Sequence, residues 1–205
     1  MNTGNDQLTL VNPKDPISGF SGIPRNMSGI AEKLAKAGYA TGQSGKWHLG
    51  LATPDHTPKG RGYQKSLTYL DGAHDYWTSQ TGDFCDPALY VDLYSSDAPA
   101  YGLNNSLTCS QANQKNCAYE DALFVNFTLD VIASHDPATP LFYYLALHNV
   151  HEPLEAPTEN LTKFEYIYEN CSAALNIFTS AKNSSCAAAV ASPDAYTGAD
   201  KQCCL

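Results

Sequence analysis

Positively charged residues are scarce in this chain. Its 205 residues include 12 lysines and arginines against 21 aspartates and glutamates, which leaves a formal net charge of −9. Surfaces that bind nucleic acid or anionic membranes need clustered positive charge, so the composition argues against both as partners. The longest apolar run, Leu141–Leu147, is far shorter than the roughly 20 residues of a membrane-spanning helix. The chain also lacks the basic and apolar segments of a signal peptide at its start.

Two features nevertheless indicate the secretory pathway. Asn-x-Ser/Thr sequons, which are glycosylated only in the lumen, are frequent here. They occur at six positions: Asn26, Asn104, Asn126, Asn160, Asn170 and Asn183. The seven cysteines are typical of an oxidising compartment. Because these features require export and no export signal precedes them, we expect an internal fragment of a secreted or lysosomal-type protein whose signal peptide is missing from this sequence.

Hydrophobic spacing predicts two helix–loop–strand units. The first has a helix over Ser28–Ala37, with Ser28 as its N-cap, and then a short strand over 39–41. The second has a helix over Tyr119–Ala133 and a buried strand over Leu141–Leu147. This alternation predicts an α/β fold, in which ligands gather beyond the carboxyl ends of the strands.

Composition divides the chain into three parts. Residues 1–22 are rich in loop-forming residues and are interpreted as the remnant of a preceding segment. Residues 23–165 carry the predicted helices and strands and form the main domain. Residues 166–205 are rich in alanine, serine and cysteine, show no clear periodicity, and are interpreted as a divergent tail.

Lys46 and His48 flank Trp47 between glycines, in the stretch "GYATGQSGKWHLG". A nucleotide P-loop is excluded, because Ala40 stands where its first glycine belongs and Trp47 replaces the required serine or threonine. A lysine ammonium and a nearby imidazole are suited to hold two oxygens of a tetrahedral anion. On spacing alone, a surface lysine and a structural histidine remain the alternative.

A second group of polar residues follows the strand predicted at Leu141–Leu147. His148, His151 and Glu152 form an H-x-x-H-E pattern, which is not the H-E-x-x-H arrangement of a zinc helix, and Pro153 argues against a continuing helix. A histidine just past a buried strand favours an acid or an anion contact over a metal ligand. On the pattern alone, a structural histidine remains the alternative at either position.

Two further histidines are each followed by an aspartate, at His74 and His135. Adjacent side chains often point apart, so both pairs are interpreted as structural or surface residues. Ser-His-Asp hydrolase chemistry has no support, because no G-x-S-x-G motif occurs.

Four segments resemble the sulfatase family. "AGYATGQSGKWHLG" resembles the family's second signature, and "PLFYYLALHNVHEPLEAP" resembles the segment that holds its later active-site histidine. "KGRGYQKSLTYLDGAHDYW" and "YEDALFVNFTLDVIASHDPATP" resemble the arylsulfatase B (N-acetylgalactosamine-4-sulfatase) branch in order and approximate spacing. The similarity runs from about Ile23 to Asn160 and implies part of an alkaline-phosphatase-like α/β domain with a mixed sheet flanked by helices.

The resemblance implies hydrolysis of sulfate esters, with a formylglycine nucleophile and a calcium ion held by carboxylate and amide oxygens. It implies that Lys46 binds a sulfate oxygen and contacts the formylglycine. It implies that His48 hydrogen-bonds the formylglycine hydroxyl and that His151 contacts the sulfate near the leaving oxygen. The expected substrate is a sulfated small molecule or polysaccharide.

The chain departs from the family pattern at the nucleophile and at the metal. No Cys-x-Pro-Ser-Arg motif occurs. Ser21 to Arg25 has Ile23 where proline belongs, and the closest imitation, "CDPAL" at Cys85, has Leu89 in place of the arginine. Every cysteine follows Lys46, whereas the family's nucleophile precedes it, and no two aspartates are adjacent. No residue is therefore assigned as a metal ligand or cofactor contact, and we expect the fragment alone to be inactive.

Two other functions remain open. The first is a non-catalytic secreted glycoprotein that keeps the anion contacts and binds sulfated glycans. The second is a phosphatase or phosphodiesterase of the same superfamily, against which the Gly-Lys-Trp-His sequence argues. The sequence carries no information on oligomeric state.

Overall fold

The computed structural model describes residues 22–51, 53–82, 89–100, 102–103 and 106–166. The chain divides into two compact units, Met1–Asn149 and Val150–Leu205. Most of the predicted amino-terminal loop and nearly all of the predicted tail lie outside the described residues. The predicted boundaries at 22/23 and 165/166 stay predictions.

A mixed five-stranded sheet forms the centre of the first unit. Its strands are β1 (Ala40–Lys46), β2 (Lys65–Tyr69), β5 (Tyr94–Ser95), β6 (Ala98–Pro99) and β7 (Leu141–Ala146), and their order in the sheet is β6-β5-β2-β1-β7. The central strand β1 runs parallel to both β2 and β7, whereas β5 and β6 add antiparallel pairs. A separate two-stranded sheet contains β3 (Gln80–Thr81) and β4 (Tyr90–Val91). Two helices accompany the sheets, α1 (Ile30–Lys36) and α2 (Glu120–Ala133), and the predicted α/β fold is confirmed.

Helix α1 is shorter than the predicted range of Ser28–Ala37. Gly29, not Ser28, is its N-cap, and the Glu32 carboxylate accepts a hydrogen bond from the backbone N–H of Gly29 at 2.6 Å. This contact satisfies a backbone donor that the helix start leaves open. Gly38, which follows the helix, has a φ of 90° and supplies the left-handed conformation that ends it.

Strand β1 is longer than the predicted strand at 39–41, because its polar residues are buried in the sheet. Thr41, Gln43 and Ser44 are all buried, although their side chains do not give a hydrophobic pattern. Helix α2 contacts Ser44, because the Ser44 hydroxyl lies 2.7 Å from the hydroxyl of Thr128. As a result, Lys46 is the last residue of the strand and not part of a loop.

Helix α2 covers the sheet at the predicted place, one residue shorter than expected at its start. Its fully buried Phe124 packs with Leu67, Tyr69 and Leu93 in the main hydrophobic cluster. Strand β7 also occurs where it was predicted, but its description as a buried strand is wrong. Its residues are half-buried or exposed, with Tyr144 at 50% exposure, because β7 has a neighbour on one side only in the described sheet.

The second unit, as far as it is described, contains the short helix α3 (Thr158–Leu161), which continues into a 3-10 turn at Thr162–Phe164. Among the described residues of the chain, no helix has the length and apolar character needed to cross a membrane.

Candidate active site

Lys46 and His48 lie at the carboxyl end of the central strand β1. Because β1, β2 and β7 are parallel, their carboxyl ends meet at one edge of the sheet. Lys46 is paired with Tyr69, the last residue of β2, and both Lys46 and His48 are half-buried. The structure therefore brings these two predicted site residues to the edge where an α/β fold binds its ligands.

Backbone hydrogen bonds continue past the end of β1 and fix the turn. The N–H of Trp47 donates to the carbonyl of Tyr69 at 3.0 Å, and the N–H of His48 donates to the carbonyl of Leu70 at 3.2 Å. From the strand interior, the buried Gln43 amide donates to the carbonyl of Lys46 at 3.0 Å. The backbone that carries Lys46 and His48 is thus held from both sides.

Trp47 anchors the same turn through its side chain. The indole is buried and packs edge-to-face on Tyr63, with ring centroids 5.9 Å apart. Its N–H lies 2.9 Å from the carbonyl of Gly50 and 3.0 Å from that of His56, and it donates to both. Since Trp47 points into the core, the polar residues on either side of it are fixed at the sheet edge.

His48 adopts the left-handed backbone conformation, with a φ of 48°. Its ring lies against Gly72, where an added Cβ would be 3.2 Å from the His48 Cε1 atom. Left-handed backbone is uncommon for residues other than glycine and occurs frequently at functional sites. The orientation of His48 is therefore set by its own backbone and by the absence of a side chain at position 72.

His151, the third predicted site residue, belongs to the second unit. Its side chain is exposed, and its Nδ1 atom lies 2.8 Å from the backbone oxygen of the next residue, Glu152. The peptide bond between Glu152 and Pro153 is cis. The role of His151 stays a prediction.

The structure also brings together three side chains that sequence reasoning did not combine. His74 follows β2, Glu120 begins α2, and His148 follows β7. Both oxygens of Glu120 are engaged, Oε2 by His74 Nε2 and Oε1 by His148 Nδ1, the latter at 2.6 Å. All three residues are buried. We refer to them as the His–Glu–His cluster.

Aromatic rings enclose the His–Glu–His cluster. Tyr69 stacks on His74 and Tyr76 stacks on His148, each with ring centroids 4.1 Å apart. Burial raises the pKa of Glu120 to about 7 and lowers the pKa of His74 to about 4, because the apolar surroundings disfavour the charged forms. Burial, and then the nearby Glu120 carboxylate, also raises the pKa of Tyr69.

No sequence signal connects the members of this cluster. They are separated by 46 residues between His74 and Glu120 and by 28 between Glu120 and His148. Glu120 lies in α2, whereas His74 and His148 lie in the loops that follow β2 and β7. The sequence analysis considered His74 and His148 one at a time. It interpreted His74 as a structural or surface residue and left a structural role open for His148. Only the packing of α2 on the sheet shows that they meet.

The cluster does not fit the calcium ion that the family resemblance implies. It is the one group of three or more His, Cys, Asp or Glu side chains that could hold a metal ion in the described part of the chain. Two of its three ligand atoms are imidazole nitrogens, whereas calcium takes six to eight oxygen ligands. No calcium site is therefore assigned.

The two arginines of the chain, Arg25 and Arg61, hold the segment before α1 and not the sheet edge. The buried Arg61 guanidinium donates to the backbone carbonyls of Ile23, Pro24 and Met27, the last at 2.8 Å. Arg25 pairs with Glu32 at 3.4 Å. Both contacts hold the segment before α1, which is a structural role.

Some of the sequons and cysteines that indicate secretion lie in the described residues. The sequon residues Asn26, Asn126 and Asn160 are all exposed. The other three sequons, and five of the seven cysteines, lie outside the described residues. Cys109 and Cys117 form a disulfide. This bond agrees with folding in an oxidising compartment.

The sequence was compared with known proteins. A family model described as Sulfatase matches residues 2–199. Arylsulfatase J of Mus musculus is 32% identical over 151 residues, which are 74% of this chain and 23% of that protein. Arylsulfatase of Klebsiella aerogenes is 29% identical over 153 residues, which are 68% of this chain and 27% of that protein. The chain thus spans about a quarter of the length of these relatives. The arylsulfatase B branch stays a prediction.

A solved structure shows the same architecture. The crystal structure of Ps i-CgsB in complex with k-i-k-neocarrahexaose aligns with a TM-score of 0.50 and 25% sequence identity. The alignment covers 80% of this chain and 33% of that one.

Proposed function

The chain belongs to the sulfatase family, and on that premise we propose that it forms the sulfate-binding part of an arylsulfatase-type sulfuric ester hydrolase. The observation that carries the proposal is the turn anchored by Trp47, which fixes Lys46 and His48 at the carboxyl end of the central strand. Because the chain spans about a quarter of the length of its relatives, the hydrolase activity is proposed for a full-length sulfatase that contains this segment.

The chemistry of the two side chains suits a sulfate ester. Hydrolysis converts the ester and water into an alcohol and hydrogen sulfate, and negative charge has to be stabilised on the sulfate oxygens throughout. Lys46 would supply a fixed positive charge to one oxygen, and the His48 imidazole would supply a directional hydrogen bond beside it. His151 is proposed as a further sulfate contact on the family resemblance alone.

This chain by itself is proposed to bind sulfate without hydrolysing its esters. The family's nucleophile is formylglycine, and the sequence contains no Cys-x-Pro-Ser-Arg motif from which it could form. The one group of His, Cys, Asp or Glu side chains in the described residues that could hold a metal ion does not fit the family's calcium ion either. We therefore expect the chain to retain the anion contacts but to lack the group that attacks sulfur.

We propose a sulfated saccharide as the substrate class and a secreted or lysosomal location. The structural relative Ps i-CgsB is described in complex with a neocarrahexaose, which supports a saccharide. Exposed sequons and the Cys109–Cys117 disulfide support the location. The alternative of a non-catalytic glycoprotein that binds sulfated glycans is favoured by the same retained contacts and missing nucleophile.

The test is the affinity of the chain for inorganic sulfate and for a sulfated monosaccharide, measured by calorimetry. We expect Lys46→Ala and His48→Ala each to weaken binding by about tenfold, the effect of losing about 1.4 kcal/mol of interaction. The matched control is Lys36→Ala, which removes an exposed lysine at the end of α1. Equal weakening by the control would show that only net charge matters and would contradict the proposed site.

A catalytic assay distinguishes the hydrolase from the alternative, a non-catalytic glycoprotein that binds sulfated glycans. The chain alone is expected to show no turnover of an aryl sulfate such as 4-nitrophenyl sulfate. A transcript that continues in frame into a Cys-x-Pro-Ser-Arg segment, and whose full product hydrolyses the same ester, supports the hydrolase. A full product that binds sulfated glycans without turnover supports the non-catalytic glycoprotein.

A further inference from the structure

The His–Glu–His cluster lies in the core and has no part in the proposed sulfate chemistry. We propose that it is a binding site for a single divalent transition-metal ion of the zinc class, held by His74, Glu120 and His148. The proposal is independent of the sulfatase function, because it rests on different residues and is tested by a different measurement.

The geometry brings three possible ligand atoms close together. Each residue offers one nitrogen or oxygen, and these atoms all lie within 4.8 Å of one another. Zinc lies about 2.0–2.2 Å from imidazole nitrogens and carboxylate oxygens, so its ligand atoms are roughly 3.5 Å apart. Small side-chain shifts are therefore enough to admit the ion. Glu120 comes from the first turn of α2, and the two histidines come from the loops after β2 and β7, so three separate parts of the fold supply the ligands.

Hydrogen-bond accounting shows that two acceptors face each other inside the cluster. His74 Nδ1 lies 3.0 Å from the backbone oxygen of Asp92, which only accepts, so Nδ1 carries a proton. In the neutral ring, Nε2 then presents a lone pair to the Glu120 carboxylate, which is also an acceptor. Two acceptors in contact require either a metal ion or an additional proton between them.

The surroundings of His74 agree with the metal. Histidines that bind metals almost always donate the other ring N–H to a carbonyl or carboxylate, which fixes the tautomer and the ring orientation. The Asp92 carbonyl provides this contact, and the Asp92 side chain is held by the backbone N–H groups of Leu70 and Asp71, at 2.9 and 2.8 Å. The ligand is thus oriented by a rigid part of the backbone.

The chemical class of the ion follows from the ligands. Two imidazoles and one carboxylate are typical of zinc and of its substitute cobalt, whereas magnesium and calcium prefer oxygen alone. Tyr69 lies against both imidazoles, with ring centroids 4.1 Å from His74 and 5.2 Å from His148. Its buried hydroxyl has no hydrogen-bond partner in the described part of the chain, so an unsatisfied polar group accompanies the cluster.

The variant Glu120→Gln distinguishes a bound metal ion from an additional proton in the cluster. The glutamine amide has nearly the same shape; its nitrogen can donate to His74 Nε2, and its oxygen can accept from His148 Nδ1. The variant therefore satisfies the cluster without an additional proton, but it removes the anionic ligand. Glu159→Gln, at an exposed position in α3, is the matched control.

The experiment is a titration of the metal-stripped full chain with Co²⁺ and Zn²⁺. We expect one Co²⁺ per chain, with visible d–d absorption but without the near-ultraviolet band of cysteine thiolate ligands, and a higher Tm with Zn²⁺. Glu120→Gln should bind at least tenfold more weakly, whereas Glu159→Gln should bind like the unmodified chain.

Two results would overturn the proposal. The first is a chain that takes up no stoichiometric metal by native mass spectrometry in Zn²⁺-containing buffer, which would mean that the cluster holds an additional proton. The second is equal metal affinity in Glu120→Gln, which would place the metal elsewhere. The mass measurement on the unmodified chain decides the matter if Glu120→Gln fails to fold.

Discussion

At the scale of single residues, His48 depends on the glycine that its ring contacts. A Cβ at position 72 would lie 3.2 Å from the His48 Cε1 atom and 3.3 Å from Nε2. These contacts are tighter than ordinary packing, so the ring has to move. The position of Gly72 is therefore part of the proposed sulfate site, although glycine cannot bind sulfate itself.

Gly72→Ala is expected to weaken sulfate binding several-fold while changing the free energy of unfolding by less than about 1 kcal/mol, as is usual away from the core. The measurements are calorimetry with sulfate and urea unfolding. Gly102→Ala is the control, because a Cβ there meets no atom within 4 Å. Unchanged sulfate affinity in Gly72→Ala would show that the orientation of His48 does not matter for binding.

His56 supports the same turn and gives it a dependence on pH. It is fully buried, its Nδ1 lies 2.7 Å from the Thr53 hydroxyl, and its carbonyl accepts the Trp47 indole N–H. Burial first, and then the charge of Arg61, lowers the pKa of His56 from 6.5. Below pH 6.5 the unfolded chain takes up a proton that the folded chain resists, so stability is lost as the pH falls.

His56→Asn, whose amide can reach the Thr53 hydroxyl, is expected to reduce the loss of stability between pH 7 and pH 5. The check is urea unfolding at several pH values. The control is His135→Gln, which replaces a half-buried histidine in the turn after α2 whose Nε2 lies 2.6 Å from the Thr139 carbonyl. If the free energy of unfolding depends on pH in the same way in His56→Asn and in the unmodified chain, His56 is not the cause of the loss of stability at low pH.

From spacing alone, the sequence indicated candidate site residues only where they are close together in the chain. Lys46 and His48 are two residues apart, at the end of β1 and in the turn that follows it, so their spacing carries the signal. His74, Glu120 and His148 meet only after α2 has packed on the sheet, and their burial cannot be read from their polar side chains. Such sites require the three-dimensional structure.

At the scale of elements, strand β1 depends on close backbone contact with β7. Gly45 has a φ of 94°, and a Cβ there would lie 1.8 Å from the Ala146 carbonyl oxygen. A side chain at this position would force apart the two parallel strands that carry the sheet edge. The glycine is thus required both for its conformation and for the space that it leaves.

Gly45→Ala is expected to destabilise the chain by more than 3 kcal/mol, whereas Gly38→Ala should cost about 1–2 kcal/mol. Gly38 is the matched control because its φ is 90° but a Cβ there meets nothing within 4 Å. The difference between the two variants in urea unfolding isolates the collision with Ala146. Equal destabilisation by Gly45→Ala and Gly38→Ala would contradict this account, because it would mean that the collision with Ala146 does not lower the free energy of unfolding.

The pattern of apolar residues predicted α2 and β7 closely but missed most of β1. The α2 prediction succeeded because Phe124 and its neighbours recur at helical spacing. The β1 prediction ended at Thr41 because the strand continues through glycine, glutamine and serine, which the sheet and α2 bury with hydrogen bonds. Polar residues that are buried in this way give no hydrophobic signal.

At the scale of the whole molecule, the chain covers about a quarter of its relatives, and the described sheet ends at an open edge. Strand β7 has apolar residues that are exposed, among them Leu145 at 38%. Burial of a strand depends on neighbours that a local sequence pattern does not contain. The fold class was therefore predictable from the sequence, whereas the exposure of its last strand was not.

The central claim is that the turn around Trp47 places Lys46 and His48 to bind a sulfate. The most direct measurement is a titration of the isotope-labelled chain with inorganic sulfate, followed by amide NMR shifts. The account predicts saturable shifts that are largest at residues 46–48 and at 70–72, and their loss in Lys46→Ala. A folded chain whose shifts fall elsewhere, or are unchanged in that variant, would contradict the claim.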